Sequence, residues 1–410
     1  MPIMSSKGSV RLTARVGYLV GIGIFAKFFV DTTIQLFNPY LLIYAAGIGV
    51  SGITLGRLIS LRNLSGLIAP VIGTLADRYG YRRILRFNLL LMGSGVFLFA
   101  FGYGSPLIIP AMMLWGIGQG GFAPNIHSYL STKLPYEKRS RYLGMIEYSW
   151  AGAGIIGLSL IGILIEAFNW RVPLFVLGGG LLFSAIIIGT LPKADQPGHT
   201  RPGTKQDRKQ TGLADRIRGF FDLGPHRRSA WGAVLVNVFN FFAAFHIIIA
   251  HGAFLETEYS LSPAKLGSVA FLMGLFDWAG SILVSTAGDR IGKRRSLIIG
   301  AAGLMIFAAL LPLLNLNLYM ALFALLMPRF FFEFATVSNF PLLSEQYPSG
   351  RGKVLAFGIA GGLIGSTVAA TTGPAAYLNL GLWGLGPVAA AAAMVSLLLL
   401  LFVVKDRPAE

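Results

Sequence analysis

The stretch Gly73-Thr-Leu-Ala-Asp77-Arg78-Tyr-Gly80-Tyr-Arg82-Arg83 has a partner in Ser285-Thr-Ala-Gly-Asp289-Arg290-Ile-Gly292-Lys-Arg294-Arg295. Asp, Arg, Gly, Arg and Arg recur at a constant separation of 212 positions. Each copy closes the second apolar segment of its half of the chain, so an internal repeat is the simplest account. In each copy the Gly can supply a tight turn or a close helix contact. The Arg residues can hold the loop at an anionic membrane face, and the Asp can accept hydrogen bonds from a neighbouring helix end.

Outward from these loops, apolar segments lie near residues 17 to 44, 52 to 72, 84 to 104, 107 to 131, 142 to 165 and 171 to 191. Six more lie near 230 to 253, 264 to 286, 297 to 314, 318 to 340, 354 to 377 and 384 to 404. Most approach the ~20 residues that a helix needs to cross the hydrocarbon. Within lipid such segments must be helices, because a helix satisfies its backbone polar groups internally. Composition agrees: 54% of the 410 residues are hydrophobic and 12% are charged, against roughly 25% charged in soluble domains. The expected fold is therefore an all-α membrane protein of twelve transmembrane helices in two pseudo-symmetric six-helix bundles. The expected units are 1–191, a linker loop at 192–228 and 229–410. The segment after Lys7, Arg11 and Arg15 is too long for a signal peptide and reads as a retained helix.

Charge gives an independent check on the spans. Arg78, Arg82, Arg83 and Arg86 follow the second segment, and Lys133, Lys138, Arg139 and Arg141 follow the fourth. The linker, the later loops on the same side and both ends are likewise basic, whereas the other side holds Arg171 and Lys265. The positive-inside rule then places both termini and the linker in the cytoplasm, with the chain in the inner membrane. A net charge of +17 follows from that topology, and no nucleic-acid partner is expected. The linker reads as flexible, with Leu213 to Leu223 either a short amphipathic surface helix or a solvated connector. The chain has no Cys, which excludes disulfides and thiolate metal sites. No metal or cofactor is expected, and no nucleophile and base pair or phosphate loop marks an enzyme.

The repeated loop resembles that of the major facilitator superfamily, and the resemblance extends over nearly the whole chain. GTLADRYGYRR is similar to the family's signature loop between helices two and three, and the second copy to its counterpart between helices eight and nine. The loop is closest to those of drug and metabolite exporters. The resemblance implies that Gly73, Asp77, Arg78 and Gly80, with Asp289, Arg290 and Gly292, form a cytoplasmic gate that latches the bundles together when the cavity opens outward. The chain departs from the family elsewhere. Met112 stands ahead of Gly116 where proton-coupled members carry an Arg in helix four, and Gly157 to Gly162 lacks the Pro and one Gly of the antiporter motif in helix five.

Ionisable groups inside spans are costly and are the first functional candidates. Lys27, Asp31, Gln35 and Asn38 fall within about 80° of arc on the first helix, a polar stripe expected to face a central cavity. Arg62 shares a face with Gly66, Ala69 and Gly73, as for close packing on a neighbour. Lys27 and Asp31, like Arg329 and Glu333, stand one turn apart, so that either each pair neutralises itself or its carboxylate alternates between a bound proton and the salt bridge. Asn237 and Asn240 share a face with His251. Asp31, Glu333, Glu147 and Asp277 are the proton-coupling candidates, and Lys27, Gln35, Asn38, Arg62, Asn237, Asn240 and Arg329 the substrate-binding candidates. His246 and His251 read as structural.

The functional expectation is a monomeric, proton-coupled secondary transporter exporting a small organic compound by alternating access, with the solute, protons and the lipid bilayer as its partners. Proton-coupled uptake of an organic anion is the alternative. A non-transporting receptor or scaffold is the alternative of another class, and it has no soluble domain or long loop to anchor it.

Overall fold

The computed structural model describes residues 6–134, 139–192, 221–347 and 350–406, with side chains from residue 16 onward except those of 139–141 and 289. Most of the linker, including 213–220 of the expected surface helix, and the side chain of Asp289 lie outside the described residues. The first six crossings are built from α1 (Ser6–Gln35) with α2 (Phe37–Ile48), α3 (Gly52–Ser65) with α4 (Ala69–Tyr79), α5 (Tyr81–Ala100), α6 (Ile108–Lys133), α7 (Arg139–Gly152) with α8 (Ser159–Ala167), and α9 (Arg171–Ile188). The second six are single helices: α10 (Arg227–Tyr259), α11 (Pro263–Ile291), α12 (Lys293–Leu310), α13 (Leu318–Gln346), α14 (Arg351–Leu380) and α15 (Leu382–Phe402). Ten crossings are long and apolar enough to span a membrane by composition. The other two are α6, whose second half is polar, and α12, which opens on Lys293-Arg294-Arg295.

Three crossings expected to be unbroken are interrupted, each for a local reason. The first breaks at Leu36, and Tyr40 has non-helical φ −118° and ψ 27°. Pro39 has no N–H to donate and its ring crowds the preceding turn. In the second, a 3₁₀ turn (Gly66–Ile68) precedes Pro70 in the first turn of α4. The fifth widens into a π turn (Ala153–Leu158), where a Cβ on Gly157 would stand 2.5 Å from Thr32 Oγ1.

The repeated loops have matching geometry. Gly80 has φ 92° and ψ 133°, and Gly292 has φ 91° and ψ 143°. A Cβ at either would meet nothing within 4 Å. The requirement is thus for a turn that side-chain-bearing residues resist, rather than for close packing. Gly73 makes no close contact either, so the expected tight face on this crossing is confined to Gly66, which packs on α6. Two of the loop arginines do more than sit at the membrane surface. Arg82 Nη1 donates to Leu191 O at 2.7 Å, just past α9. Arg294 Nη2 donates to Leu400 O at 2.7 Å and to Leu401 O at 3.1 Å, at the end of α15. Each therefore caps the carbonyls of the last crossing in its own bundle, where a helix carries partial negative charge.

The bundles meet through α2 with α10, α3 with α14, and α8 with α11. Ser60 Oγ lies 2.7 Å from Thr367 O and from Thr371 Oγ1, Ser159 donates to Gly267 O, and the Ala264 amide donates to Glu166. Backbones approach at glycines: a Cβ on Gly252 would meet Pro39 O at 2.2 Å, and one on Gly56 would meet Ala370 O at 2.4 Å. These contacts all lie toward the end opposite the basic loops. Toward the basic end, α4 packs on α5 and α6, and α13 on α10, α11, α12 and α14, each within its own bundle, so the cleft between the bundles opens there.

Because the strain at Gly80 and Gly292 is in the backbone alone, Gly80→Ala and Gly292→Ala should each destabilise the protein by roughly 1–3 kcal/mol. Gly73→Ala, inside a helix with free space, should be neutral or stabilising. Thermal unfolding of the purified variants checks this. Equal melting temperatures for Gly73→Ala and Gly80→Ala would contradict the assignment.

Candidate functional site

Two clusters of buried charge occupy the middle of the crossings, one in each bundle. In the first, Lys27 Nζ donates to Asp31 Oδ2 at 2.9 Å, to Glu147 Oε2 at 3.1 Å and to Ser149 Oγ at 3.3 Å. Ser149 Oγ donates to Asp31 Oδ2 at 2.5 Å. Glu147 Oε1 lies 2.7 Å from His127 Nε2 on α6. The Lys27 and Asp31 side chains are 6% and 4% exposed, whereas that of Glu147 is 52% exposed toward the open end. The polar stripe of α1 thus faces α7 of its own bundle, and Gln35 continues it by donating to Trp150 O at 3.1 Å.

The second cluster corrects the sequence expectation. Arg329 does not pair with Glu333 one turn away. It forms a two-pronged bond with Asp277 on α11, Nε to Oδ1 at 2.6 Å and Nη2 to Oδ2 at 2.5 Å. The planar guanidinium matches both oxygens of a carboxylate facing it from another helix, which fixes Arg329 on Asp277. Glu333 instead accepts from Ser281 at 2.9 Å and lies within electrostatic reach of Asp277, Arg329 and Glu147. Glu147 and Glu333 belong to opposite bundles and so face each other across the cleft.

Between the clusters, on the closed side, Gln35 and Asn38 share a small pocket with Gly154, Met273, His251 and Arg329. His251 Nδ1 is held by Ile248 O of its own helix, and Nε2 has no protein partner. His246 contacts Thr372. Asn237 lies between helices, donating to Gly358 O at 2.6 Å and accepting from Asn339 at 2.8 Å, so its amide is engaged in joining α10, α13 and α14. Asn240 is buried nearby, and its side-chain oxygen has no protein partner. Arg62 stands apart from both clusters. It is 3% exposed, lies over the rings of Phe37 and Trp115 at 5.6 and 5.3 Å, and its Nε and Nη1 have no protein partner.

In the loop of the first bundle, Asp77 accepts from Tyr81 Oη at 2.5 Å, within its own loop, rather than from a neighbouring helix end. Arg78 lies over the Tyr79 ring, and Arg290 is exposed. In the second bundle Lys293 pairs with Glu345 of α13. Sequence reading missed His127, Ser149, Ser281 and Tyr81. Only His127 carried a usable signal, an ionisable side chain on an apolar crossing.

The Major Facilitator Superfamily profile matches residues 23–253 and, again, 233–410. The chain belongs to this family. The double match agrees with the internal repeat, and major facilitator proteins are membrane transporters rather than enzymes. The chain is 23% identical over 339 residues to the uncharacterized MFS-type transporter YwfA of Bacillus subtilis, covering 82% of this chain and 80% of that protein. It is 25% identical over 378 residues to the multidrug resistance protein MdtG of Proteus mirabilis, covering 85% and 88%. The structure of a D-xylose-proton symporter superposes with a TM-score of 0.76 over 96% of this chain and 98% of that one, at 17% identity. That likeness establishes the fold alone.

Arg329 is the cation of a cluster that also holds Glu333, so removing it leaves two buried carboxylates uncompensated, whereas removing Asp277 leaves Arg329 with Glu333 one turn away. Arg329→Met should therefore destabilise the protein by roughly 3–5 kcal/mol, and Asp277→Asn by clearly less. Thermal unfolding of the two variants measures this. An Asp277→Asn variant as unstable as Arg329→Met would show that the pair, and not the cluster of three, sets the charge balance.

Proposed function

We propose that this protein exports a small organic compound in exchange for protons, by alternating access, and that the two buried clusters are its proton sites. One observation carries the reading. Lys27 faces Asp31 and Glu147, while Arg329 faces Asp277 with Glu333 beside it. Each cluster thus holds one fixed cation and two carboxylates, and with the His127 ring on Glu147 neutral each is one proton short of neutrality. An excess charge inside a crossing is expensive, so each cluster favours either a proton or a positively polarised group of a solute. Where the two are alternatives at one carboxylate, binding of one expels the other, and this is the thermodynamic basis of exchange. Asp31 and Glu333 are the carboxylates best placed for it. Glu333 has Ser281 and no cation bonded to it, and Asp31 can be left neutral when Lys27 turns to Glu147.

Gln35, Asn38 and Arg329 line a small pocket that would widen to hold a solute, with Lys27 two turns before Gln35 on α1. Under the positive-inside reading the open end faces the cytoplasm, where an exporter loads its cargo. The multidrug resistance name of a relative matched over most of both chains supports the same direction. The Tyr81–Asp77 bond holds the first loop's carboxylate while that end is open. Closure would transfer Asp77 to the second bundle as part of a gate formed by Gly73, Asp77, Arg78, Gly80, Asp289, Arg290 and Gly292. Proton-coupled uptake of an organic anion is a second reading, favoured by Arg62, a buried cation whose free N–H groups await an acceptor. Radiolabelled anions offered to proteoliposomes separate the two.

A solute can be chosen as one that raises the melting temperature of the purified protein. Asp31→Asn and Glu333→Gln should retain its exchange between equal pools in proteoliposomes and lose accumulation driven by an imposed pH gradient. If both variants and the double variant still accumulate the solute, protons are carried elsewhere.

A further inference from the structure

His127 completes a chain of hydrogen-bond contacts from water to Asp31. Its side chain is 31% exposed and touches Glu147 Oε1; the Glu147 side chain is itself 52% exposed, but each of its oxygens is already engaged, one by His127 and one by Lys27. The other oxygen of Glu147 receives Lys27, and the same Nζ reaches Asp31 at 2.9 Å. Three crossings, built on α1, α6 and α7, thus contribute to one line of proton-bearing atoms with no gap wider than a hydrogen bond. The line begins in the open half of the cleft and ends on a carboxylate that is 4% exposed. Across the cleft, Glu333 of the second bundle lies within electrostatic reach of Glu147. On the α5 side Tyr81 meets Ser128, next to His127, and holds Asp77. Arg62 of α3 lies farther toward the closed end, against Trp115.

We propose that His127 is the group through which the Asp31 site exchanges protons with water at the open end. The proposal rests on Asp31 being a proton site. In the loading direction, a hydronium ion gives its proton to the His127 ring and leaves as water. The Nε2–H bond then breaks as a bond to Glu147 Oε1 forms, returning the imidazole to neutrality. Lys27, whose ammonium has no lone pair, first gives a proton to Asp31 Oδ2; the Glu147 carboxyl then turns its protonated oxygen toward the amine and returns one, so Lys27 ends as an ammonium. At the end Asp31 is neutral and still bonded to Ser149, Glu147 is again ionised against Lys27, and the cluster carries no excess charge. Unloading reverses each transfer. Glu147, with one oxygen on each neighbour, is the obligatory middle of the path.

The test needs no solute. The full-length protein in lipid nanodiscs is subjected to a pH jump while its carboxylic-acid infrared bands are followed, and the band lost in Asp31→Asn is assigned to Asp31. In His127→Ala that band should reach the same final amplitude about tenfold more slowly or worse, as expected when a positioned proton carrier is removed. Imidazole added to the solution should restore the rate. His127→Gln, which can still donate a hydrogen bond to Glu147, should be as slow as His127→Ala, which separates proton transfer from the mechanical tie between α6 and α7. A wild-type rate in His127→Ala, a slow rate that imidazole leaves unchanged, or a wild-type rate in His127→Gln would each overturn the role of His127. A spectrum in which Asp31→Asn removes no band would instead overturn Asp31 as a proton site, and the relay with it.

Discussion

A charge cannot stand alone in the hydrocarbon region, and the interior of this protein is organised by that constraint. Every carboxylate placed mid-crossing has a hydrogen-bonding or cationic neighbour: Asp31 and Glu147 share Lys27, Asp277 is held by Arg329, and Glu333 has Ser281. Counting fixed charges, neutralisation is incomplete in each cluster by one negative charge. A fully balanced pair would be inert, and a lone carboxylate would destabilise the fold. One cation between two acids keeps the fold tolerable while leaving a proton-sized imbalance. Arg62, outside the clusters, is the counterexample of opposite sign, its charge softened by two aromatic faces rather than cancelled.

The two clusters are related by position but not by geometry. In the first bundle a flexible ammonium bridges two acids and can shift between them. In the second a guanidinium is locked on one acid by two parallel bonds. Lys is suited to changing partners and Arg to holding one, so the first cluster reads as the mobile one and the second as a rigid anchor beside the freer Glu333. The interruptions of the first bundle fit this division. The break near Pro39, the Pro70 turn and the π turn at 153–158 all lie in crossings that bear on the Lys27 cluster or on Arg62, whereas each crossing of the second bundle is a single helix.

The fold was legible from the 212-residue repeat, since Gly80 and Gly292 adopt the same backbone angles and Arg82 and Arg294 cap equivalent helix ends. The turn explains why a glycine is needed, but the caps could not be foreseen, because the receiving carbonyls lie about a hundred residues away in the chain. The spacing of Lys27 and Asp31 correctly indicated a pair. The same spacing misled for Arg329 and Glu333, because periodicity describes one helix and Asp277 approaches from another. Glu147 was legible as a candidate and its partners were not, since Ser149 and His127 acquire meaning only when α1, α6 and α7 are brought together. Of the first repeated loop, the sequence carried Asp77 but not the bond from Tyr81 that holds it in this arrangement.

If charge balance in the buried clusters decides which end of the cleft is open, the population of the two arrangements must respond to protons through those clusters. The absence of Cys permits spin labels at cysteines introduced at Arg83 and Arg351, one on each side of the open end, with no background. Pulsed dipolar spectroscopy should show the distribution of distances between them shifting with pH in the otherwise unaltered protein. The shift should be absent when Asp31→Asn and Glu333→Gln are added, because both clusters are then permanently neutral. A distribution that ignores pH in the unaltered protein, or that responds equally in the doubly neutralised one, would contradict the account.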